Sequence, residues 1–91
     1  MMKFNPRMKV RQVAGENIVM RMGLGEADMT TVMALNDSSM LIYNHFGQRP
    51  FTTDEVVALM QEEYEVDEAT ARRDIEEWEG QMRQYELIVD A

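Results

Sequence analysis

The chain has 91 residues, 45% of them apolar and 29% charged, with a net charge of −8 at neutral pH and no cysteine. That length fits one domain on a scale of roughly 100–200 residues each, and the missing thiols exclude disulfide scaffolds, thiolate zinc sites and cysteine nucleophiles. No apolar run nears the ~20 residues of a membrane span, and the first residues, Met-Met-Lys-Phe-Asn-Pro-Arg, hold no secretory apolar segment, so no membrane partner and a cytoplasmic location are expected.

Residues 8–14 (Met-Lys-Val-Arg-Gln-Val-Ala) and 17–22 (Asn-Ile-Val-Met-Arg-Met) are short, β-branched and partly alternating. The turn residues Ala14, Gly15, Glu16 and Asn17 join them, which predicts a β-hairpin. In its second strand Ile18, Met20 and Met22 share one face and Val19 and Arg21 the other. Residues 23–28, with Gly23 and Gly25, read as a loop. Residues 30–35 (Thr-Thr-Val-Met-Ala-Leu) predict a third strand, with Thr31, Met33 and Leu35 pointing one way and Val32 and Ala34 the other.

The apolar period then changes from 2 to 3.6. Asn36, Asp37, Ser38 and Ser39 are helix-capping residues ahead of a short helix over residues 40–46. Gly47 and Pro50 end it. Thr52 and Glu55 form a Thr-x-x-Glu capping box for a second helix, with Val56, Leu59, Met60 and Tyr64 as its apolar stripe. Asp67 caps a third helix that runs to about Gln84, with Ala71, Ile75, Trp78 and Met82 on one face. Glu68 with Arg72, and Glu79 with Arg83, have the spacing of ion pairs along it, each contributing about 0.2–0.5 kcal/mol. Leu87, Ile88 and Val89 can fold back on the core. The order βββααα gives an α+β domain in which three helices cover one face of a three-stranded antiparallel sheet. A sheet this small has two edges, and an uncovered edge is a template for another chain.

Charge is unevenly placed. Residues 1–50 hold six Lys and Arg against four Asp and Glu, and residues 51–91 hold three against thirteen. A helical half this acidic is repelled by phosphate, which argues against nucleic acid as a partner. Catalytic chemistry finds little support. His45 is the only histidine, has no second ligand at helical spacing, and reads as a structural or surface residue. The adjacent carboxylates, such as Glu62 with Glu63 and Glu76 with Glu77, point about 100° apart on a helix and do not converge as an acid/base pair. Gly23-x-Gly25 lacks the third glycine of a dinucleotide loop. No catalytic group, metal site or cofactor is expected. Ten methionines are many for this length; Met20, Met22, Met33, Met40, Met60 and Met82 are expected to fill the core, although methionine also suits an adaptable peptide-binding surface.

In that order the chain resembles the PqqD family, whose domains are also called RiPP recognition elements. The matching words are residues 10–19 (Val-Arg-Gln-Val-Ala-Gly-Glu-Asn-Ile-Val), 34–38 (Ala-Leu-Asn-Asp-Ser), 41–46 (Leu-Ile-Tyr-Asn-His-Phe) and 74–78 (Asp-Ile-Glu-Glu-Trp), with Leu87-Ile88 after them. They span about residues 8–89 of a single domain over residues 1–91. Departures from the family pattern include Ser39 and Glu86, both where glycine is usual, and Glu79 in place of a frequent leucine.

The resemblance implies a winged helix-turn-helix-like fold and a non-enzymatic adaptor. Such an adaptor binds the leader segment of a ribosomally made precursor peptide. It presents that peptide to a modifying enzyme, often a radical S-adenosylmethionine enzyme. The leader is expected to add as a strand to strand three, in a groove between that strand and helix three. The backbone of Thr30, Thr31, Val32, Met33 and Ala34 would then pair with it, with Arg72, Arg73, Glu76 and Glu79 as candidates for the far wall. Trp78 reads as a core anchor rather than groove wall. The alternative is a structural or regulatory interaction module of the same fold that does not bind a leader. A winged-helix nucleic-acid binder fits poorly, because residues 63–79 carry two arginines against eight acids. Nothing in the sequence specifies an oligomeric state.

Overall fold

The computed structural model describes residues 1–22 and 29–91, so the loop expected over residues 23–28 lies outside the described residues. Four strands, β1 (Met2–Phe4), β2 (Met8–Val13), β3 (Glu16–Met22) and β4 (Met29–Leu35), precede three helices, α1 (Asp37–Phe46), α2 (Thr53–Glu63) and α3 (Glu68–Gln84); β5 (Ile88–Asp90) follows. β2, β3 and β4 form an antiparallel sheet in that order, which is the α+β arrangement expected, and the strand expected as the third is β4. A second, two-stranded sheet pairs β1 with β5 and has no counterpart in the sequence reading. Three residues are too few to show an alternating pattern. β1 is fixed instead by tertiary contact: Met2 and Phe51 exchange backbone hydrogen bonds of 3.0 and 2.7 Å.

Local chemistry sets the element boundaries. Ala14 and Gly15 turn the β2–β3 hairpin with φ of 51° and 84°, the left-handed pair that matches a two-residue turn to strand twist. Asn36 caps α1 by accepting from the Ser39 amide, so the helix starts at Asp37, earlier than its apolar residues suggest. Thr52 and Glu55 form the expected capping box on α2. Caps of the Asn36 and Thr52 kind contribute about 1 kcal/mol each. Asp67 caps α3, and its bonds from Thr70 hold its carboxyl below the ordinary range.

Phe4, Ile42, Phe51, Val56, Met82, Leu87 and Ile88 are buried among the helices and the β1–β5 pair. The Phe4 ring lies 5.2, 5.4 and 6.1 Å from those of Tyr43, Phe51 and Trp78. A fully buried side chain of this size contributes about 1.5–3 kcal/mol. The larger sheet adds Met8 and Val19 from its inner face, with Leu35 at the end of β4.

Three expectations about the core are corrected. Val19, not Met20, faces inward from β3, because the core side of the hairpin is set by Met8 and Val10 through the pairing of Val10 with Val19. Met60 and Met82 are buried as expected, but Met20, Met33 and Met40 are only half-buried, and Met2 and Met8 lie in the core instead. Tyr64 is exposed, because as the extended C-cap of α2 it leaves the helical track, while Val57 is buried. Among the described residues no helix is long and apolar enough to cross a membrane.

Candidate functional site

The three-stranded sheet has two outer edges of different character. β2 forms one, and its Lys9 and Arg11 are exposed. Charged side chains along an edge discourage pairing with another strand. β4 forms the other, and its sequence, Met-Thr-Thr-Val-Met-Ala-Leu, holds no charge, no proline and no glycine. Thr30, Thr31, Val32, Met33 and Ala34 follow one another on that strand. Their register to β3 is interrupted once: Val19 pairs with Met33 and Met20 pairs with Thr31, so Val32 is an extra residue between two regular stretches. This is a β-bulge, which locally bends the strand and increases its twist.

An apolar cleft of about 390 Å³ opens beyond the C-terminal end of β4. Asn36, the residue after the strand, lines it with Ser39 and Ile42 of α1. Met60 and Tyr64 close it from the end of α2, and Ala71, Asp74, Ile75 and Trp78 from α3. Its floor is buried and apolar, while Asn36, Tyr64 and Asp74 are exposed and polar. Trp78 serves two surroundings. It packs against the core, and its indole N–H donates to the Ser39 hydroxyl at 2.9 Å. Ser39 is only 5% exposed, so that bond satisfies a group that would be costly to leave unpaired. A concave, mostly apolar site with a few polar groups is the general form of a pocket that takes one apolar side chain or small group.

The four α3 residues expected to line a groove are divided by the structure. Arg72 pairs with Asp54 of α2 at 2.9 Å and with Glu68 at 3.2 Å, and these contacts raise its already high pKa. The Thr53 hydroxyl of α2 donates to the Glu79 carboxylate at 2.8 and 3.1 Å. Burial pushes the Glu79 carboxyl above its ordinary value, and the Thr53 bond works against that shift. Arg72 and Glu79, two helical turns apart, therefore hold α3 to α2. Arg83 reaches Asp90 at 3.0 Å, in place of the expected partner Glu79. Arg73 and Glu76 are exposed, and Arg73 makes a loose 3.9 Å contact to Asp74. Among the described residues no hydrogen bond or ion pair joins any of the four to Met33, Ala34 or Leu35. His45 is exposed, with its ring edge-on to Phe46 at 4.7 Å.

The cleft residues Asn36, Ser39, Tyr64 and Asp74 are absent from the expected site. Asn36 and Ser39 carry only a capping signal in the sequence, and the place of Asp74 depends on which flank of α3 meets α2. A family model described as "Coenzyme PQQ synthesis protein D (PqqD)" matches residues 22–88, well over half of the chain. The match includes β4, all three helices and therefore every residue that lines the cleft. No curated protein and no solved structure matches the chain.

Proposed function

The chain belongs to the PqqD family, and from that membership we propose that it is a non-enzymatic adaptor that binds the leader segment of a ribosomally made precursor peptide and presents it to a modifying enzyme. The leader adds as a strand to the outer edge of β4, pairing with the backbone of residues 30–34, and seats one apolar side chain in the cleft beside Asn36. The observation that carries this reading is the juxtaposition of an uncharged edge strand with an apolar cleft at its end. Main-chain bonds supply affinity in strand addition, and side-chain pockets supply specificity.

Magnitudes show why both parts are needed. Micromolar binding requires about 8 kcal/mol. Each backbone bond contributes a net of about 0.5–1.5 kcal/mol, and one buried anchor about 1.5–3 kcal/mol. Ordering the peptide subtracts from both. A short strand alone falls short of that affinity, as does one anchor alone. Arg72 and Glu79 take part indirectly, by fixing α3 on α2. Arg73 and Glu76 lie outside the cleft lining and would meet only a partner that covers the helix, such as the modifying enzyme, with a radical S-adenosylmethionine enzyme as the class the family resemblance favours.

The test is an amide NMR titration with the leader segment of a short peptide encoded beside this gene, read together with the fluorescence of Trp78, the single tryptophan. Saturable shifts along Met29–Leu35 and a change in Trp78 emission are expected. Binding that leaves β4 unshifted, or no binding to a folded sample, would sink the reading in favour of an interaction module without a leader.

A further inference from the structure

The two edges of the sheet face the same hazard, which is pairing with a second copy of this chain. Flat, uncharged strands of six or seven residues without proline and with high β-propensity are the ones that pair with copies of themselves. β4 has that composition over its whole length. On β2 the exposed Lys9 and Arg11 guard against such pairing, because a twofold partner would bring its own cations to the same seam. The sequence of β4 contains no charge that could act as such a guard. The interruption it does have is in its backbone, at Val32.

We propose that the bulge at Val32 prevents β4 from pairing with the β4 of a second copy while leaving the edge open to a pliable extended chain. A twofold contact between two β4 edges would require two bulges, each bent and overtwisted, to be matched in one ladder. Each β4 is held in its bent form by β3, so neither can flatten to fit. A free peptide has no such constraint and can follow the bend. The bulge therefore selects by stiffness rather than by sequence. The peptide half of this inference rests on reading β4 as the docking edge; the half concerning self-pairing does not.

The register makes the device removable. Met33 lies opposite Val19 and Thr31 opposite Met20. Deleting Val32 would leave both pairings intact and make the ladder continuous, with the alternation of faces restored. Sedimentation of the wild-type chain is expected to show a monomer across a wide concentration range. The Val32 deletion is expected to sediment as a dimer, with amide protection gained along β4. Adding Ala34→Lys to the deletion, at an exposed edge position, should return the monomer. A second arm uses wild-type protein and a synthetic peptide of the Met29–Leu35 sequence with a solubilising lysine tail. Shifts at β4 are expected, because the same residues freed from β3 are pliable.

A wild-type dimer joined through β4, or a folded Val32 deletion that stays monomeric, would overturn the proposal. If the deletion does not fold, sedimentation of the wild-type chain decides the self-pairing half, and a dimer joined through β4 is the overturning result. Failure of a leader to bind would leave the sedimentation outcomes unchanged, so the two readings fail separately.

Discussion

On one flank of α3, Arg72 and Glu79 meet the start of α2. On the other, Asp74 and Trp78 face a cleft that the end of α2 and the start of α1 leave open. The flanks hold similar residue types, with a carboxylate on each. They differ in what lies opposite. Where the start of α2 approaches, charge is consumed in contacts that fix helix to helix; at the other flank, polar and aromatic groups line an open cleft. The charge of a helix flank does not reveal its use without knowing its neighbour.

The largest effect is expected at the cleft flank. Trp78→Phe leaves the Ser39 hydroxyl buried without a donor, which costs about 1–3 kcal/mol. Ser39→Ala strands the indole N–H in the same way. The double variant should be no less stable than the worse single variant, because the unpaired group has gone. Urea unfolding followed by circular dichroism reads all three. Additive losses would mean that the hydrogen bond does not hold the cleft wall.

The direct test of the contrast is a pair of truncations. Arg72→Ala should lower the melting temperature and weaken leader affinity less than Asp74→Ala does, because Arg72 acts only through the seating of α3 on α2. Asp74→Ala should leave the melting temperature unchanged and weaken binding of a leader with a basic or amide group near its anchor by roughly two- to fivefold, the scale of an exposed charge contact. The opposite pattern would break the division of α3 into a structural and a binding flank.

Glu79 sharpens the same division through pH. Its folded-state pKa lies above the ordinary 4.5 because burial disfavours the charge. The folded chain therefore binds this proton more tightly than the unfolded chain, and the carboxylate subtracts stability at neutral pH. That loss is recovered as pH falls through the raised value toward 4.5. Glu79→Gln keeps an acceptor for Thr53 and removes the charge. The variant should be the more stable protein at neutral pH, with an advantage that shrinks on acidification. Denaturant midpoints across that range check the sign. An advantage that grows toward low pH would mean that Thr53 and Arg83 stabilise the charge more than burial opposes it.

These cases also show which parts of the fold are legible in the sequence. The hairpin turn at Ala14-Gly15, the Thr52–Glu55 box and the caps at Asn36 and Asp67 are readable because each is encoded within a few residues. The order of strands and helices follows from periods of 2 and 3.6. What cannot be read depends on distant partners. β1 exists because it pairs with β5 and Met2 bridges to Phe51, and the inner face of β3 is chosen by Met8 and Val10 across the hairpin. The site divides in the same way. The uncharged stretch of β4 is visible in the chain itself, whereas the cleft forms only where three helices fail to close. The bulge at Val32 is a matter of register, which no composition records.

Glu86 carries the smallest predicted effect and tests whether tertiary contact can hold a locally unfavourable backbone. The end of α3 has the two bonds of a Schellman motif, from the Leu87 amide to the Met82 carbonyl at 2.8 Å and from the Glu86 amide to the Arg83 carbonyl at 3.0 Å. Glu86 occupies its left-handed position at φ 58°, where glycine is usual and an L-residue costs roughly 1–2 kcal/mol. Arg21 of β3 compensates: one guanidinium nitrogen lies 2.9 Å from the Glu86 carboxylate and 2.9 Å from the Tyr85 carbonyl. Asn5 adds a 2.8 Å bond to the Glu86 carbonyl. Glu86→Gly removes the strain and the exposed ion pair, itself contributing about 0–1 kcal/mol, and loosens the unfolded chain by about 0.4–1 kcal/mol. The net change should lie within about 1 kcal/mol of zero and slightly favour glycine, because at central values relief of the strain outweighs the lost ion pair and the looser unfolded chain together, and the carbonyl contacts survive. Arg21→Ala should then cost less in the glycine background than in the wild type, by the contribution of the lost ion pair. A glycine variant clearly less stable than the wild type would show that the Arg21–Glu86 contact, rather than the helix end, governs how the β2–β3–β4 sheet is seated on α3.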